Sequence, residues 1–292
     1  MNTLHLGLSY NCNMRCKHCF VDKQQDKLNI NKLKEAINYL DQKGLFFVIY
    51  TFGEPLLAKE FWNISKFVSS KKIVQTLMTN GYLINSEIIL KLKDHGINNI
   101  YVSLDSADEI KHDRNRNLKG SYAKALKSLQ LLVDNGFNVG IAVTINDSNI
   151  LDMKKFVDLA KKIGVKNISF LRQRNNNILI NLKYIKEYEK FYKKHICGNK
   201  KMNILFHDPS LLKITKELYQ QEKIDRNTYE KYMDMNRCHY KSTISIEPNG
   251  NIKHCNLIND KISNLNEESI KKIIKKGSVA NECLGYCIEL SK

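Results

Sequence analysis

Cys12, Cys16 and Cys19 stand in the run Cys12-Asn-Met-Arg-Cys16-Lys-His-Cys19, near the start of a 292-residue chain. Three thiolates in one tight loop can hold three irons of a 4Fe-4S cube, and with no fourth cysteine nearby one iron stays open to a small ligand. The alternatives are three reduced thiols or a partial zinc site, although structural zinc asks for four ligands in paired turns, which this spacing does not offer. A second group, Cys238, Cys255, Cys283 and Cys287, lies toward the other end. Cys255 closes the run Ile246-Glu-Pro-Asn-Gly250-Asn-Ile-Lys-His-Cys255, where Asn249-Gly250 between two β-rich stretches is a hairpin signal that brings the far end back toward Cys238. Grouped as three, one and four, the eight cysteines point to metal in a reducing compartment rather than to disulfides.

The spacing Cys-x3-Cys-x2-Cys resembles that of the radical S-adenosylmethionine (radical SAM) superfamily, and landmarks downstream carry the same resemblance. Phe52-Gly53-Glu54-Pro55 looks like that family's Gly-Gly-Glu-Pro turn. Phe52 stands where the first glycine would be, and the retained Gly53 and Glu54 are expected to supply the close backbone approach and the charge. Thr79-Asn80-Gly81, Tyr101-Val-Ser-Leu-Asp105 and His112-Asp-Arg-Asn-Arg116 match further landmarks. The resemblance implies a 4Fe-4S cluster on Cys12, Cys16 and Cys19, with SAM bound at its open iron by His18, Gly53, Glu54, Asn80, Ser103, Arg116 and Thr144. Of these, Glu54 would face the amino group, Ser103 and Arg116 the carboxylate, and Thr144 with Asn146 the ribose. A guanidinium suits a carboxylate because it pairs through two parallel hydrogen bonds. The implied chemistry is reductive cleavage of SAM to a 5′-deoxyadenosyl radical that takes hydrogen from a substrate.

The Gly-x4-Cys phrase ending at Cys255 and the later cysteine pair resemble the auxiliary-cluster domain called twitch, a truncated form of the SPASM domain. That implies one auxiliary 4Fe-4S cluster on Cys238, Cys255, Cys283 and Cys287. The last two are separated by three residues where the family more often has two, which leaves open a cluster with three protein ligands or a zinc site.

These groups need a scaffold that brings distant positions together. Strand-like runs at 4–8, 46–51, 74–79, 99–104, 138–145 and 167–171 alternate with helical patterns such as Ile30 to Tyr39 and Tyr122 to Val133. Gly44, Gly136 and Gly164 follow helix ends. The pattern predicts an α/β chain: a partial (β/α)6 TIM-like barrel over 1–175, a helical bridge shaping the substrate pocket over 176–236, and a small twitch-type hairpin-plus-helix domain over 237–292. Cys12, Glu54, Asn80 and Ser103 fall at or just past strand ends, where such barrels carry their sites.

Lys and Arg number 47 against 30 Asp and Glu, a formal net charge of +17, which favours an acidic partner. Lysines dispersed on helical faces, such as Lys154-Lys155 and Lys161-Lys162, and the lack of a nucleic-acid motif argue against nucleic acid and for an acidic peptide or a solvated surface. No run is apolar enough to span a membrane, and the first strand occupies the amino terminus, leaving no signal peptide and no amino-terminal leader-recognition domain; a cytoplasmic protein is expected. The favoured partners are a ribosomally made precursor peptide and an electron donor such as flavodoxin or ferredoxin. Small-molecule dehydrogenation or rearrangement shares every motif named, whereas a non-catalytic iron-sulfur scaffold would not need Glu54, Ser103 and Arg116. Cys197 stands outside both cysteine groups, either as a small buried apolar group or as a thiol hydrogen donor of the kind radical SAM peptide epimerases use.

Overall fold

The computed structural model describes residues 2–22, 24–175, 178–179, 183–198, 202–236, 242–254 and 261–275. Six strands with helices between them open it: β1 (Thr3–Gly7), α1 (Ile30–Gln42), β2 (Phe47–Thr51), α2 (Phe61–Ser69), β3 (Val74–Thr79), α3 (Ser86–Asp94), β4 (Asn99–Ser103), α4 (Glu109–Arg116), α5 (Ser121–Asp134), β5 (Asn138–Ile145), α6 (Met153–Ile163) and β6 (Asn167–Arg172). A two-residue ribbon follows, β7 (Arg174–Asn175) with β8 (Ile178–Leu179), then α7 (Ile185–Cys197), β9 (Asn203–His207), α8 (Leu212–Gln220), α9 (Arg226–Asn236), β10 (Thr243–Ile246), β11 (Asn251–Lys253), β12 (Ser263–Asn264) and α10 (Ile270–Lys275).

Alternation decides which face of each strand meets the helices. Leu4, Leu6, Val48, Tyr50, Leu77, Ile100, Val102, Ile141, Val143, Ile168 and Phe170 are buried in the core between sheet and helices. The intervening residues, among them His5, Ile49, Met78, Tyr101, Ser103 and Thr144, share the opposite, half-buried face. The helices answer with one apolar stripe each, Leu33, Ala36, Ile37 and Leu40 on α1, while Asn29 caps that helix by accepting the Lys32 N–H at 3.1 Å. The lysine pairs 154–155 and 161–162 lie on the exposed side of α6.

The strand order is β12-β11-β10-β1-β2-β3-β4-β5-β6-β9. Pairing from β10 through β9 is parallel throughout, so two further parallel strands flank the six that periodicity reveals. One of them, β9, lies in the stretch expected as a helical bridge. Its apolar run is only Ile204-Leu205-Phe206, too short to signal a strand by alternation. No ladder joins β9 to β10 among the described residues, and the structure supplies the reason. The free edge of β10 is taken by β11, antiparallel. That of β9 is met by side chains of α9: Tyr232 Oη donates to Ile204 O at 3.4 Å, Phe206 N to Met235 Sδ at 3.2 Å and Asp208 N to Asn236 Oδ1 at 3.2 Å. Covering an edge in this way removes an unpaired template for aggregation.

At the amino ends of the strands four asparagines form an amide ladder. Asn138 Nδ2 donates to Asn99 Oδ1 at 2.7 Å, Asn167 Nδ2 to Asn138 Oδ1 at 2.8 Å, and Asn203 Nδ2 to Asn167 Oδ1 at 3.0 Å. Lys231 Nζ closes it on Asn203 Oδ1 at 2.9 Å. The expected Asn249-Gly250 turn does join β10 to β11, and Gly250 holds φ at 88°, which a side chain would strain.

Candidate active site

The segment carrying Cys12, Cys16 and Cys19 leaves β1 at the carboxyl rim and lies across the ends of β2, β3 and α4. At β2 the contact is backbone to backbone: Glu54 N donates to Asn11 O at 2.7 Å. A Cβ on Gly53 would stand 2.4 Å from Asn11 O and 2.7 Å from Ser9 O, so only glycine permits this approach. Sequence reasoning expected the bulky Phe52 to be compensated by Gly53. The structure instead puts both residues in the left-handed region, Phe52 at φ 62° and Gly53 at φ 49°. A left-handed non-glycine residue costs roughly 1–2 kcal/mol. Burying a Phe side chain returns about 1.5–3 kcal/mol. The ring is 5% exposed, near Tyr10 and Phe20, and it fills the place where a Cβ on Gly7 would sit, 2.7 Å from Phe52 Cδ2. Packing therefore offsets the strain.

At α4 the loop is pinned by Arg15 N donating to Arg116 O at 3.3 Å and Lys17 N to Asn115 O at 2.9 Å. Arg116, 7% exposed, donates Nη2 to Asp105 Oδ1 at 2.7 Å and brings Nη1 to 3.6 Å from Cys16 Sγ. Burial pushes the Cys16 thiol up, and the guanidinium opposes this by favouring the thiolate. Asp105 closes the apolar end of β4 and is 1% exposed. Its N–H donates to His112 Nδ1 at 3.1 Å, and its carbonyl accepts Asn149 Nδ2 at 3.0 Å. Burial lowers His112 to about 4, so the ring is neutral and able to accept. His18 Nδ1 stands 3.6 Å from Asp105 Oδ2, and burial lowers its pKa against the pull of that carboxylate.

Glu54 is 1% exposed and ties β2 to β3. Thr79 Oγ1 donates to its Oε1 at 2.7 Å and Asn80 N to its Oε2 at 2.8 Å. Burial nevertheless pushes this carboxyl up to about 7, the Asn80 and Thr79 hydrogen bonds working against the shift. Asn80 reaches back to the loop through Nδ2, 2.7 Å from Asn13 Oδ1 and 4.0 Å from Cys12 Sγ.

Cys12, Cys16, His18, Gly53, Glu54, Asn80 and Arg116 thus belong to one connected constellation. Cys19, exposed, closes the loop with its N–H on Cys16 O at 3.2 Å. Ser103 and Thr144, both half-buried, lie on the same rim at the ends of β4 and β5; the Thr144 carbonyl accepts Asn149 Nδ2 at 2.9 Å. Asn146 is turned to its own bend, accepting from Ser148 N at 2.9 Å. Cys197 is not brought to this group. α7 begins beside Asp147, to which Lys183 N donates at 2.6 Å, and runs down to Cys197, exposed and six positions before the amino end of β9 on the opposite rim. Cys238, Cys255, Cys283 and Cys287 lie outside the described residues. Sequence reasoning missed Asp105, Asn13 and Asn149; a carboxylate ending an apolar strand was the one signal available, at Asp105.

The residues fit a cluster with a small polar ligand. Among the described residues no three Cys, His, Asp or Glu side chains converge on a single ion. A cube asks instead that each thiolate reach its own iron. Around the thiols, Asn13 Nδ2, Asp105 Oδ2 and Arg116 Nε are buried without a hydrogen-bond partner. Three such atoms at one rim are costly unless something else satisfies them.

The Fe-coproporphyrin III synthase of Methanosarcina barkeri is 29% identical over 168 residues, 56% of this chain and 42% of that protein. The antilisterial bacteriocin subtilosin biosynthesis protein AlbA of Bacillus subtilis is 28% identical over 167 residues, 56% of this chain and 37% of that one. Mycofactocin maturase MftC of Mycolicibacterium smegmatis is 29% identical over 161 residues, 54% of this chain and 41% of its own length. The matched part spans less than half the length of each relative. Streptococcus suis SuiB, solved with bound S-adenosylmethionine, shares the fold at TM-score 0.71 and 16% identity, covering 93% of this chain and 65% of that one. The radical SAM superfamily model matches residues 7–160, the stretch from the end of β1 into α6 that carries every member of the constellation, and the chain belongs to that superfamily.

Proposed function

We propose that the chain binds SAM at a 4Fe-4S cluster held by Cys12, Cys16 and Cys19 and abstracts hydrogen from a ribosomally made peptide, which leaves oxidised or crosslinked. The observation that carries this reading is the single rim on which the three-thiol loop, buried Glu54 and buried Arg116 meet. When bound, the cluster and SAM supply one-electron cleavage of the S–C5′ bond to a 5′-deoxyadenosyl radical. Glu54, held near neutrality by burial, gains its charge when an ammonium group arrives, which is how it would recognise the SAM amino group. Arg116, whose buried Nε–H has no hydrogen-bond partner, would receive the carboxylate together with the Ser103 hydroxyl. His18 and Asn80 flank the loop, and Thr144, at the end of β5, would face the ribose. The auxiliary cluster, expected on Cys238, Cys255, Cys283 and Cys287, would accept the second electron, and a flavodoxin or ferredoxin would deliver the first.

A peptide substrate is supported by the names of AlbA and MftC, a bacteriocin biosynthesis protein and a maturase, by SuiB solved with its precursor peptide SuiA, and by the net charge of +17. A small-molecule substrate is the second reading, favoured by the equally similar Fe-coproporphyrin III synthase. The test is anaerobic turnover with dithionite, SAM and any short peptide encoded by a neighbouring reading frame, with an iron porphyrin in a parallel assay. A peptide product two mass units lighter, with 5′-deoxyadenosine, is expected. Absence of 5′-deoxyadenosine under every condition would sink the radical reading, and porphyrin turnover without peptide turnover would sink the peptide.

A further inference from the structure

The cluster loop is held at both stems by one turn of the C-terminal hairpin. Before the cysteines, Tyr10 is 5% exposed, and its hydroxyl lies against the Glu247 carboxylate and the Asn249 backbone. After them, Lys27 N and Leu28 N both donate to Pro248 O, at 2.8 and 2.9 Å, and Asn249 Nδ2 donates to Gln24 Oε1 at 2.7 Å. Beneath, a Cβ on Gly7 would be 2.7 Å from Pro248 Cδ, so the turn also rests on the last residue of β1. Asn266 adds a latch, accepting Asn29 N at 2.9 Å and donating to Lys27 O at 2.9 Å and Asn249 O at 3.1 Å. Glu247 is fixed from behind by Lys253 Nζ at 2.6 Å, and the two residues are 7% and 8% exposed.

A hairpin that served only to extend the sheet would need its ladders to β1 and β12 and nothing at its tip. Here the tip carries a buried ion pair, and Pro248 O, Asn249 Nδ2 and the Asn266 side chain all reach the segment that follows Cys19. We propose that the Glu247–Gly250 turn is a positioning clamp that sets the height of the cluster loop over the barrel mouth, with Glu247 acting through Tyr10. Lys253, the other half of that ion pair, stands two residues before Cys255 in the sequence. Groups that orient metal ligands from behind typically change metal affinity about 10–100-fold when removed.

The inference rests on Cys12, Cys16 and Cys19 holding the cluster, and its test separates the two. The full chain is reconstituted anaerobically and reduced, and the fraction of the electron paramagnetic resonance signal that shifts on adding SAM is followed, as is its decay under an iron chelator. In Tyr10→Phe, which removes one hydroxyl, iron content is expected to match wild type and the melting temperature to fall by a few degrees at most. The SAM-shifted signal should decay at least about 10-fold faster. Glu247→Gln, which keeps an acceptor for Tyr10, should retain more of the shifted signal than Glu247→Ala. Wild-type decay and a full shift in Tyr10→Phe would overturn the clamp even if Glu247→Ala fails to fold. A wild-type signal that shows no SAM shift, or the same shift in Cys12→Ala, would instead overturn the cluster assignment beneath it.

Discussion

The two rims of the barrel treat their polar groups in opposite ways. At the amino rim Asn99, Asn138, Asn167 and Asn203 are chained so that each side-chain oxygen accepts a hydrogen bond and each amide nitrogen donates one. At the carboxyl rim Asn13 Nδ2, Asp105 Oδ2 and Arg116 Nε are buried with no hydrogen-bond partner, Phe52 is held left-handed, and Glu54 is buried as a carboxyl that burial pushes up to about 7. Satisfied amides hold register and stabilise. Unsatisfied ones cost stability that a ligand can return, so the difference marks which end of one sheet is built for binding.

The largest test of this contrast removes the thiols. Reconstituted wild type is expected to carry about eight irons and the Cys12, Cys16 and Cys19 triple alanine about four, with SAM cleavage abolished. Iron analysis and 5′-deoxyadenosine assays decide it; 5′-deoxyadenosine from the triple variant would break the functional reading of the rim.

Arg116→Ala comes next. It strands Asp105 in a buried site, and breaking such a pair costs about 3–5 kcal/mol. Combining Arg116→Ala with Asp105→Asn should recover much of that loss in urea unfolding, while SAM affinity stays weak. Recovery of both together would mean that Arg116 supports only the fold.

Glu54 sharpens the comparison through pH. Its folded pKa of about 7 lies above the ordinary value of 4.5, so between these the native state holds more protons than the unfolded one. Its contribution is therefore greatest below pH 4.5 and is lost as pH rises through 7. Over that window wild type should lose about 3 kcal/mol relative to Glu54→Gln, from 1.36 kcal/mol per pKa unit. Referring wild type to the variant cancels the opposite slope of His112, whose lowered pKa adds stability as pH rises from about 4 toward 6.5. SAM should flatten the Glu54 limb.

The smallest effects belong to the other rim. Asn138→Ala breaks two ladder bonds and should cost about 1–3 kcal/mol in unfolding. It should leave iron content and SAM affinity unchanged. Cys197→Ala should match wild type in 5′-deoxyadenosine yield and in product mass from D2O. A solvent deuteron in the product that vanishes with Cys197 would show that a thiol far from the cluster loop nonetheless reaches the substrate.

What could be read along the chain was local. Spacing of three thiols within eight residues is a one-dimensional property, and so is the period-two alternation that placed β1 through β6 within one or two residues of their ends. The carboxyl-rim position of Glu54, Asn80 and Ser103 was legible because strand ends in a parallel barrel converge wherever they fall in sequence. The tertiary structure alone decided the rest. β9 became a strand because β6 offered it a partner, not because three apolar residues demand one. Phe52 could turn left-handed because Gly7, far away in the chain, left room for its ring. Asp105 became the hub of the rim only when α4 returned Arg116 to it, and Cys197 was carried to the opposite rim by the direction of α7. Each depends on the burial of one group by another remote in sequence, which periodicity and spacing do not encode.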